Sequence, residues 1–475
     1  MTHSPASSSG PLPAPSISFS DAADQARFER FVAAGQGHVF GLWPTLSEEE
    51  RDPFRAQLDR IDLDRVAEFQ RLLEETRAAS GSDDPSTQGG GPRSGNTGFE
   101  APPVVEPATT EVDRLNEARL RGEALLRDGG VAALTVAGGQ ASRLGLDLPK
   151  GCLPFGPVTE RTLFELFARQ IAAGRTRYAA EIPWLVMTSP ANHDQTRAFF
   201  EQHEWFGLGE STVRLFPQGM VPALDEEGRL CLAAPGRLFE NPDGHGGVFG
   251  ALHKHGLLDW LRERGVTQLS YFQVDNPQAR ILDPLFLGLH VQDGGVYSSK
   301  VVSKEEPDEK VGLLVRHLDG TIGLVEYSDL SAAVMNERDE SGRLRLRAGN
   351  PAIHALAVEF VDAIAGEERL PFHIAHKKVP HLDPAAAVRG EAQLIEPDAP
   401  NAYKFERFVF DALPEAGARV ALLEIERDAE FLPIKSASGP TSPEAVAASY
   451  QRFWAQVLTG FGVTLTVAEA GVPTH

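Results

Sequence analysis

Apolar and polar residues alternate along this chain in two rhythms. Between Ala22 and Ala78 the rhythm is helical. Leu58, Ile61, Val66, Phe69 and Leu73 recur at the spacing of one helix face, and Ser47 is placed to cap a helix over Glu48–Leu58. After a second helix over Glu111–Arg127, strands and helices take turns. The strands are Val131–Val136, Trp184–Thr188, Val213–Phe216 and Leu269–Val274; the helices are Thr162–Ala173, Gln195–Glu204 and Gly250–Arg264, the last closed by Gly265. This alternation predicts an α/β fold with a mostly parallel sheet and helices on both faces, and ligands in such sheets sit beyond the carboxyl ends of the strands. Past Gly294 the pattern changes. Val296–Val302, Val311–Arg316, Thr321–Tyr327 and Leu344–Arg347 read as antiparallel strands, a β-rich insert at the sheet's edge. Ala418–Ile425 reads as one more strand and Ser442–Leu458 as a terminal helix. No internal repeat is visible.

Composition adds boundaries. The chain has 475 residues, enough for two or three domains. Residues 1–19 are rich in Ser and Pro and are expected to be a disordered tail; 20–80 form an N-terminal helical part; Gly81 to Pro103 (GSDDPSTQGGGPRSGNTGFEAPP) marks a flexible linker over 81–105. The α/β region then runs 106–438, with a short helical extension over 439–475. The N-terminus lacks a basic segment followed by an apolar core, so it does not read as a secretory signal, and no apolar run approaches a membrane span. Two cysteines, Cys152 and Cys231, make neither a disulfide framework nor a metal set, which fits a reducing cytoplasm. With 67 acidic against 45 basic residues the net charge is −22, a poor match for nucleic acid or anionic membranes. Any phosphate ligand needs a local basic pocket.

The stretch Val131–Gly151, VAALTVAGGQASRLGLDLPKG, offers one. An apolar strand ends in Gly138-Gly139-Gln140, and Arg143 and Lys150 follow. Small residues admit backbone N–H groups close to an anion, and fixed cations hold its charge. The stretch is neither G-x-x-x-x-G-K-[ST] nor G-x-G-x-x-G. Asp275 ends another predicted strand beside Asn276-Pro277, where a carboxylate can hold Mg²⁺ together with phosphate oxygens, although an ordinary Asx-Pro turn has the same sequence. Gln218 offers a donor and an acceptor, which suits a pyrimidine edge. Asn241-Pro242-Asp243-Gly244-His245-Gly246-Gly247 is a second Gly-rich loop before a helix. Glu326 could accept sugar hydroxyls, and Asn350 could bond a hydroxyl or an amide.

In combination these segments resemble the UDP-sugar pyrophosphorylase family, closest to its UDP-N-acetylglucosamine branch. The family's L-x-A-G-G-Q-G-T-R-L-G and P-K-G stand here as LTVAGGQASRLGLDLPKG. The resemblance continues through FPQGMVPAL, NPDGHGGVFGAL, YFQVDN, KVGLLVR, LVEYSDL, GNPAIHALAVEF, AHKKVPHLD, NAYKFERFVFD and EFLPIKSA, in order from about Gln36 to Ala437. It implies a Rossmann-like, GT-A-like nucleotidyltransferase domain over 106–438. It also implies a uridylyltransferase that joins UTP and a sugar 1-phosphate into UDP-sugar and pyrophosphate, with Mg²⁺. By resemblance, Val136, Ala137, Gly138 and Gly139 are the nucleotide loop, Arg143 and Lys150 the catalytic cations, and Asp275 the metal ligand. Gln218 reads uracil and Gly244 meets the base. His245, Gly312, Glu326, Tyr327 and Asn350 lie on the sugar side, and Lys404 and Lys435 bind phosphate late in the chain.

Three positions depart from the family pattern. Ala141 and Ser142 replace Gly and Thr, and an alanine would be strained if that position needs positive φ. His245 replaces the Asn of P-D-G-N-G-G and matches the G-H-G of the UDP-glucose branch, whereas Asn350 favours an N-acetyl sugar. Only about 40 residues follow Lys435, so the oligomer contacts of longer relatives are not implied. A UDP-glucose or broad-specificity enzyme, and an inactive sugar-nucleotide sensor, remain alternatives at this stage.

Overall fold

The central strand Val131–Val136 is buried along nearly its whole length, and it is rich in small and β-branched residues that fit between two layers of helices. In the computed structural model, which describes residues 12–80, 98–156 and 158–465 (without the side chains of 79, 80 and Arg143), this strand lies inside an eleven-stranded mixed sheet. The sheet's strands are β1 (Phe99–Glu100), β2 (Val131–Val136), β3 (Trp184–Thr188), β4 (Val213–Pro217), β5 (Gln268–Gln273), β6 (Tyr297–Ser303), β7 (Leu313–His317), β8 (Ile322–Val325), β9 (Ala348–Gly349), β10 (His354–Ala357) and β11 (Leu422–Ile425). Their order is β1-β7-β9-β6-β10-β5-β2-β3-β4, with β8 on β7 and β11 on β6.

Strands β5, β2, β3 and β4 are parallel. The β-rich section continues the sheet by antiparallel pairing, with β10 inserted between β5 and β6. Alternate residues of β2 enter different cores. Val131 and Ala133 pack with Phe164, Phe167 and Ile171 on one face; Ala132 and Leu134 pack with Val248, Leu252 and Leu261 on the other. That is the two-faced helical cover the alternation predicts.

The register matters most for function. Val136 pairs with Gln273 and with Met187, and Thr188 pairs with Pro217. The turns after β2, β4 and β5 therefore leave the sheet along one edge.

Contacts divide the chain into two units, and the division does not follow sequence order. One unit holds the sheet: 91–219, 245–371 and 408–475. The other joins 1–90 to 220–244 and 372–407, so two segments that the sequence reading assigned to 106–438 cluster with the N-terminal helices. The reason is visible in that unit's core. The helices Ala22–Ala33, Glu48–Arg60 and Leu63–Ser80 bury Phe31, Phe54, Leu58 and Phe69 against Leu224, Leu238, Tyr403 and Phe405, and Phe69 stacks on Phe405 at 3.8 Å. Three helices alone would leave that face uncovered. Ser47 caps as predicted, in a capping box with Glu50.

Other boundaries shift for identifiable reasons. Residues 1–11 of the expected tail and 81–97 of the expected linker lie outside the described residues. Ile17 and Phe19 of the tail pack on the helical core, and Phe99–Glu100 of the linker pair with β7. The helix expected over Gly250–Arg264 is two, Val248–Lys254 and Leu257–Arg262, separated by Gly256 in the left-handed region at φ 66°. Leu344–Arg347 makes only a bridge, Arg338 to Leu344; the strand begins at Ala348.

The helices Val112–Arg127 and Pro284–Gln292 cross closely at Gly122 and Gly288. A Cβ at Gly122 would lie 1.9 Å from the Pro284 carbonyl oxygen, and one at Gly288 1.6 Å from that of Ala118. Gly122→Ala is therefore expected to force backbone apart and to destabilise by about 1–3 kcal/mol or more, read as a lowered denaturant midpoint.

Candidate active site

The loop after β2 is shaped by what touches it. Ala137 continues the ladder, its N–H donating to the Met187 carbonyl at 2.7 Å. Gly138 faces the amide of Gln218, which would be 3.1 Å from a Cβ there; any larger residue would push that amide away. Gln218 itself is buried, with its backbone N–H on the Thr188 carbonyl at 2.8 Å. Gly139 is exposed with open space beside it. Ala141 has right-handed backbone in the short 3-10 turn Ala141–Leu144, is fully buried, and donates its N–H to Leu148. The position does not need positive φ, so alanine carries no strain there. Arg143 lies on the same turn; its side chain is outside the described residues.

Lys150 returns to this edge because its N–H bonds the Gly139 carbonyl at 3.2 Å. Its Nζ lies 3.5 Å from Asp275 Oδ2 and 3.3 Å from the Ile434 carbonyl. Asp275 follows β5, and its carbonyl accepts the Ile434 N–H at 2.8 Å. Lys150, Asp275 and the segment leading to Lys435 thus meet at one point. Both side chains of the Lys150–Asp275 pair are partly buried, where a charge pair is screened less than at the surface.

Beside this point is a cavity of about 550 Å³. Asp275, Lys435, Gly312, Glu326, Asn350 and His245 all line it. Asn350 begins an Asx turn. Its Oδ1 accepts the Ala352 N–H at 2.9 Å, while Ala352 holds φ 57°, a costly conformation for alanine. The turn assigns the Asn350 amide: its oxygen is engaged, which leaves the NH₂ as donor. His245 Nδ1 accepts the Val409 N–H at 3.1 Å, which puts the proton of the neutral ring on Nε2, and the ring stacks on Phe408 at 5.2 Å. Tyr327 starts the 3-10 turn after Glu326 and is not among the cavity's lining residues.

Gly244 and Lys404 belong to the other unit. Gly244 has φ 86°, and a Cβ there would meet the Arg407 carbonyl at 2.4 Å. Lys404, on the strand Ala402–Glu406, sits over the Phe239 ring with Nζ 4.9 Å from its centroid; burial lowers its pKa from the ordinary lysine value.

Comparison with known proteins gives this arrangement its family. The family described as UTP–glucose-1-phosphate uridylyltransferase matches residues 100–442. The chain belongs to that family of nucleotidyltransferases. It is 34% identical over 443 residues to a Xenopus tropicalis protein named UDP-N-acetylhexosamine pyrophosphorylase-like protein 1, covering 90% of this chain and 83% of that one. It is 31% identical to the Saccharomyces cerevisiae UDP-N-acetylglucosamine pyrophosphorylase, covering 88% of each chain. The crystal structure of the Trypanosoma brucei uridine diphosphate N-acetylglucosamine pyrophosphorylase, in complex with inhibitor, superposes with a TM-score of 0.75 at 26% identity, over 95% of this chain and 89% of that one.

Sequence reasoning gave no role to Asn276, Gln273, Arg427 or Lys300. Gln273 and Arg427 line the cavity, and Arg427 pairs with Glu309 at 2.7 Å. Asn276 and Lys300 hold the segment before Lys435. A lysine inside the apolar run Tyr297–Ser303 was the available signal for a buried charge cluster.

Burial pushes the Cys152 thiol up to about 12 and raises that of Cys231, and both thiols are free. A thiolate is the reactive form, so Cys152 at pH 8 should hold on the order of a thousandfold less of it than an unperturbed cysteine. Titration with a chromogenic disulfide at pH 8 should find both thiols slow in the folded protein and fast after denaturation.

Proposed function

We propose that the protein transfers a uridylyl group from UTP to a sugar 1-phosphate, giving UDP-sugar and pyrophosphate, with N-acetylglucosamine 1-phosphate preferred. The observation that carries this reading is the meeting of Lys150 and Asp275 at one strand edge, with Lys435 on the segment bonded to the Asp275 backbone. Cations and a carboxylate at one point suit a transfer between phosphates.

The sugar phosphate oxygen is already anionic near neutral pH and needs no general base. It attacks the α-phosphorus of UTP in line. The new phosphorus–oxygen bond forms as the bond to the bridging oxygen breaks, and that electron pair leaves with pyrophosphate. Catalysis is then positioning and charge neutralisation. Lys150 and Arg143 stand for the charge on the UTP phosphates, and Lys435 aims the incoming sugar phosphate. Gln218 over Gly138 reads the uracil edge.

Among the described residues no group of three His, Cys, Asp or Glu could hold a metal ion. That fits Mg²⁺ bound by a single carboxylate, Asp275, with substrate phosphates and water as its other ligands. When bound, Mg²⁺ would neutralise charge at the α-phosphorus and leaving group.

Asn350 supports an N-acetyl sugar. Its engaged oxygen leaves an NH₂ donor, which complements an acetamido carbonyl. His245, whose residue type matches the UDP-glucose branch, is held by Val409 and Phe408, so its identity has a packing reason that says nothing about the sugar. The relatives' names give the same sugar class. No helix among the described residues is long and apolar enough to cross a membrane, and with two free cysteines we place the activity in the cytoplasm.

The test is pyrophosphate release with UTP and Mg²⁺ on N-acetylglucosamine, N-acetylgalactosamine, glucose and galactose 1-phosphates. N-acetylated sugars should be preferred; preference for glucose 1-phosphate would overturn the sugar assignment, and silence on all four would overturn the activity. Asn350→Asp keeps the Asx-turn acceptor and removes the donor. It should raise KM for the acetylated sugar phosphate roughly tenfold while leaving thermal stability nearly unchanged. Asp275→Asn should shift or abolish the Mg²⁺ dependence; an unchanged metal titration would place the ion elsewhere.

A further inference from the structure

Lys435 reaches the cleft on one short segment, 430–435, and that segment is held from two sides. From the sheet side, Lys300 rises from β6, fully buried, and its ammonium pairs with Glu430 and, at 2.8 Å, with Asp283. Asp283 is itself fixed, because its carboxylate caps the helix Pro284–Gln292 through the Leu285 N–H at 3.1 Å. The Phe286 ring lies 5.4 Å from the same ammonium. From the cleft side, the Asn276 amide grips the segment twice. Its Nδ2 donates to the Glu430 carbonyl at 2.8 Å, and its Oδ1 accepts the Leu432 N–H at 3.0 Å.

The charge count says what Glu430 is for. Lys300 is already matched by Asp283, so a second buried carboxylate is not needed to neutralise it, and burying that carboxylate carries a desolvation cost. Exposed Arg280, 3.9 Å from Glu430, offers only a screened partner. What Glu430 adds is a tether. It ends a helix of four residues, Arg427–Glu430, too short to hold its own place. We propose that Glu430, anchored to the sheet by Lys300 and to the Asp275 turn by Asn276, is a positioning residue that sets where Lys435 stands relative to Asp275. The inference rests on the role given to Lys435 above.

Glu430→Met is the informative variant because it leaves a balanced Lys300–Asp283 pair and strands no charge; Lys300→Met would leave two carboxylates face to face. Glu430→Met, Glu430→Gln, Lys435→Ala and the double variant Glu430→Met with Lys435→Ala are compared for kcat, for KM of UTP and of N-acetylglucosamine 1-phosphate, and for thermal stability. Glu430→Met should lower kcat/KM for the sugar phosphate about thirtyfold or more with KM for UTP within about twofold, as a misplaced reacting group does. Glu430→Gln keeps the hydrogen bond to Lys300 without the charge and should lose less, about threefold. The double variant should be no slower than Lys435→Ala. Wild-type constants in a folded Glu430→Met, or in Glu430→Gln if the Met variant does not fold, overturn the inference while an impaired Lys435→Ala leaves the reading of Lys435 standing. A double variant slower by the product of the two single losses also overturns it. Wild-type rates in Lys435→Ala overturn the reading itself.

Discussion

The parallel pairing of β2 with β5 is the constraint on which the site depends. With Val136 opposite Gln273, the Gly-rich loop and the Asp275 turn must leave the sheet side by side. A slip of one residue would reverse which face each side chain of β5 enters, and Tyr271 and Phe272 sit in different cores. The register is therefore held by packing on both faces, far more firmly than by the contact it enables. Lys150 and Asp275, 125 residues apart in sequence, meet as a by-product of core formation.

Much of this was legible in the sequence because it is local. The strands β2 and β3 end where apolar runs end, and the Gly-Gly turn and Ser47 cap announce themselves by residue type. What escaped was non-local. Nothing in the segments 220–244 and 372–407 says that they complete the core under the N-terminal helices; only the need of Phe69 for a partner such as Phe405 says so, and that partner lies hundreds of residues away. The helix read over Gly250–Arg264 ran straight through Gly256, yet the chain uses that residue's left-handed conformation to end one helix and begin another. Ala141 raised a question of strain that only backbone angles could answer.

The candidate site divides along the same line. Residues marked by motif, such as Gly138, Lys150 and Asp275, were readable, whereas those that hold them were not. Asn276 looks like a turn residue and Lys300 like an interruption of a strand. Each acts on the segment 430–435 through bonds that no spacing rule predicts.

Side chains already engaged in the fold are weak witnesses about substrate. His245 and Asn350 pointed to different sugars when read as letters. In the structure, His245 accepts a backbone N–H and stacks on an aromatic ring, so its identity is accounted for by packing. Asn350 is also engaged, but through its oxygen alone, and the strained Ala352 beside it shows that the chain bears a conformational cost to keep that turn. The turn fixes the amide so that a donor remains beside the cavity. A hydroxyl can meet a donor or an acceptor, whereas an acetamido carbonyl can only accept. A fixed donor at that position therefore suits an acetamido carbonyl, and a hydroxyl can meet the same donor by accepting from it.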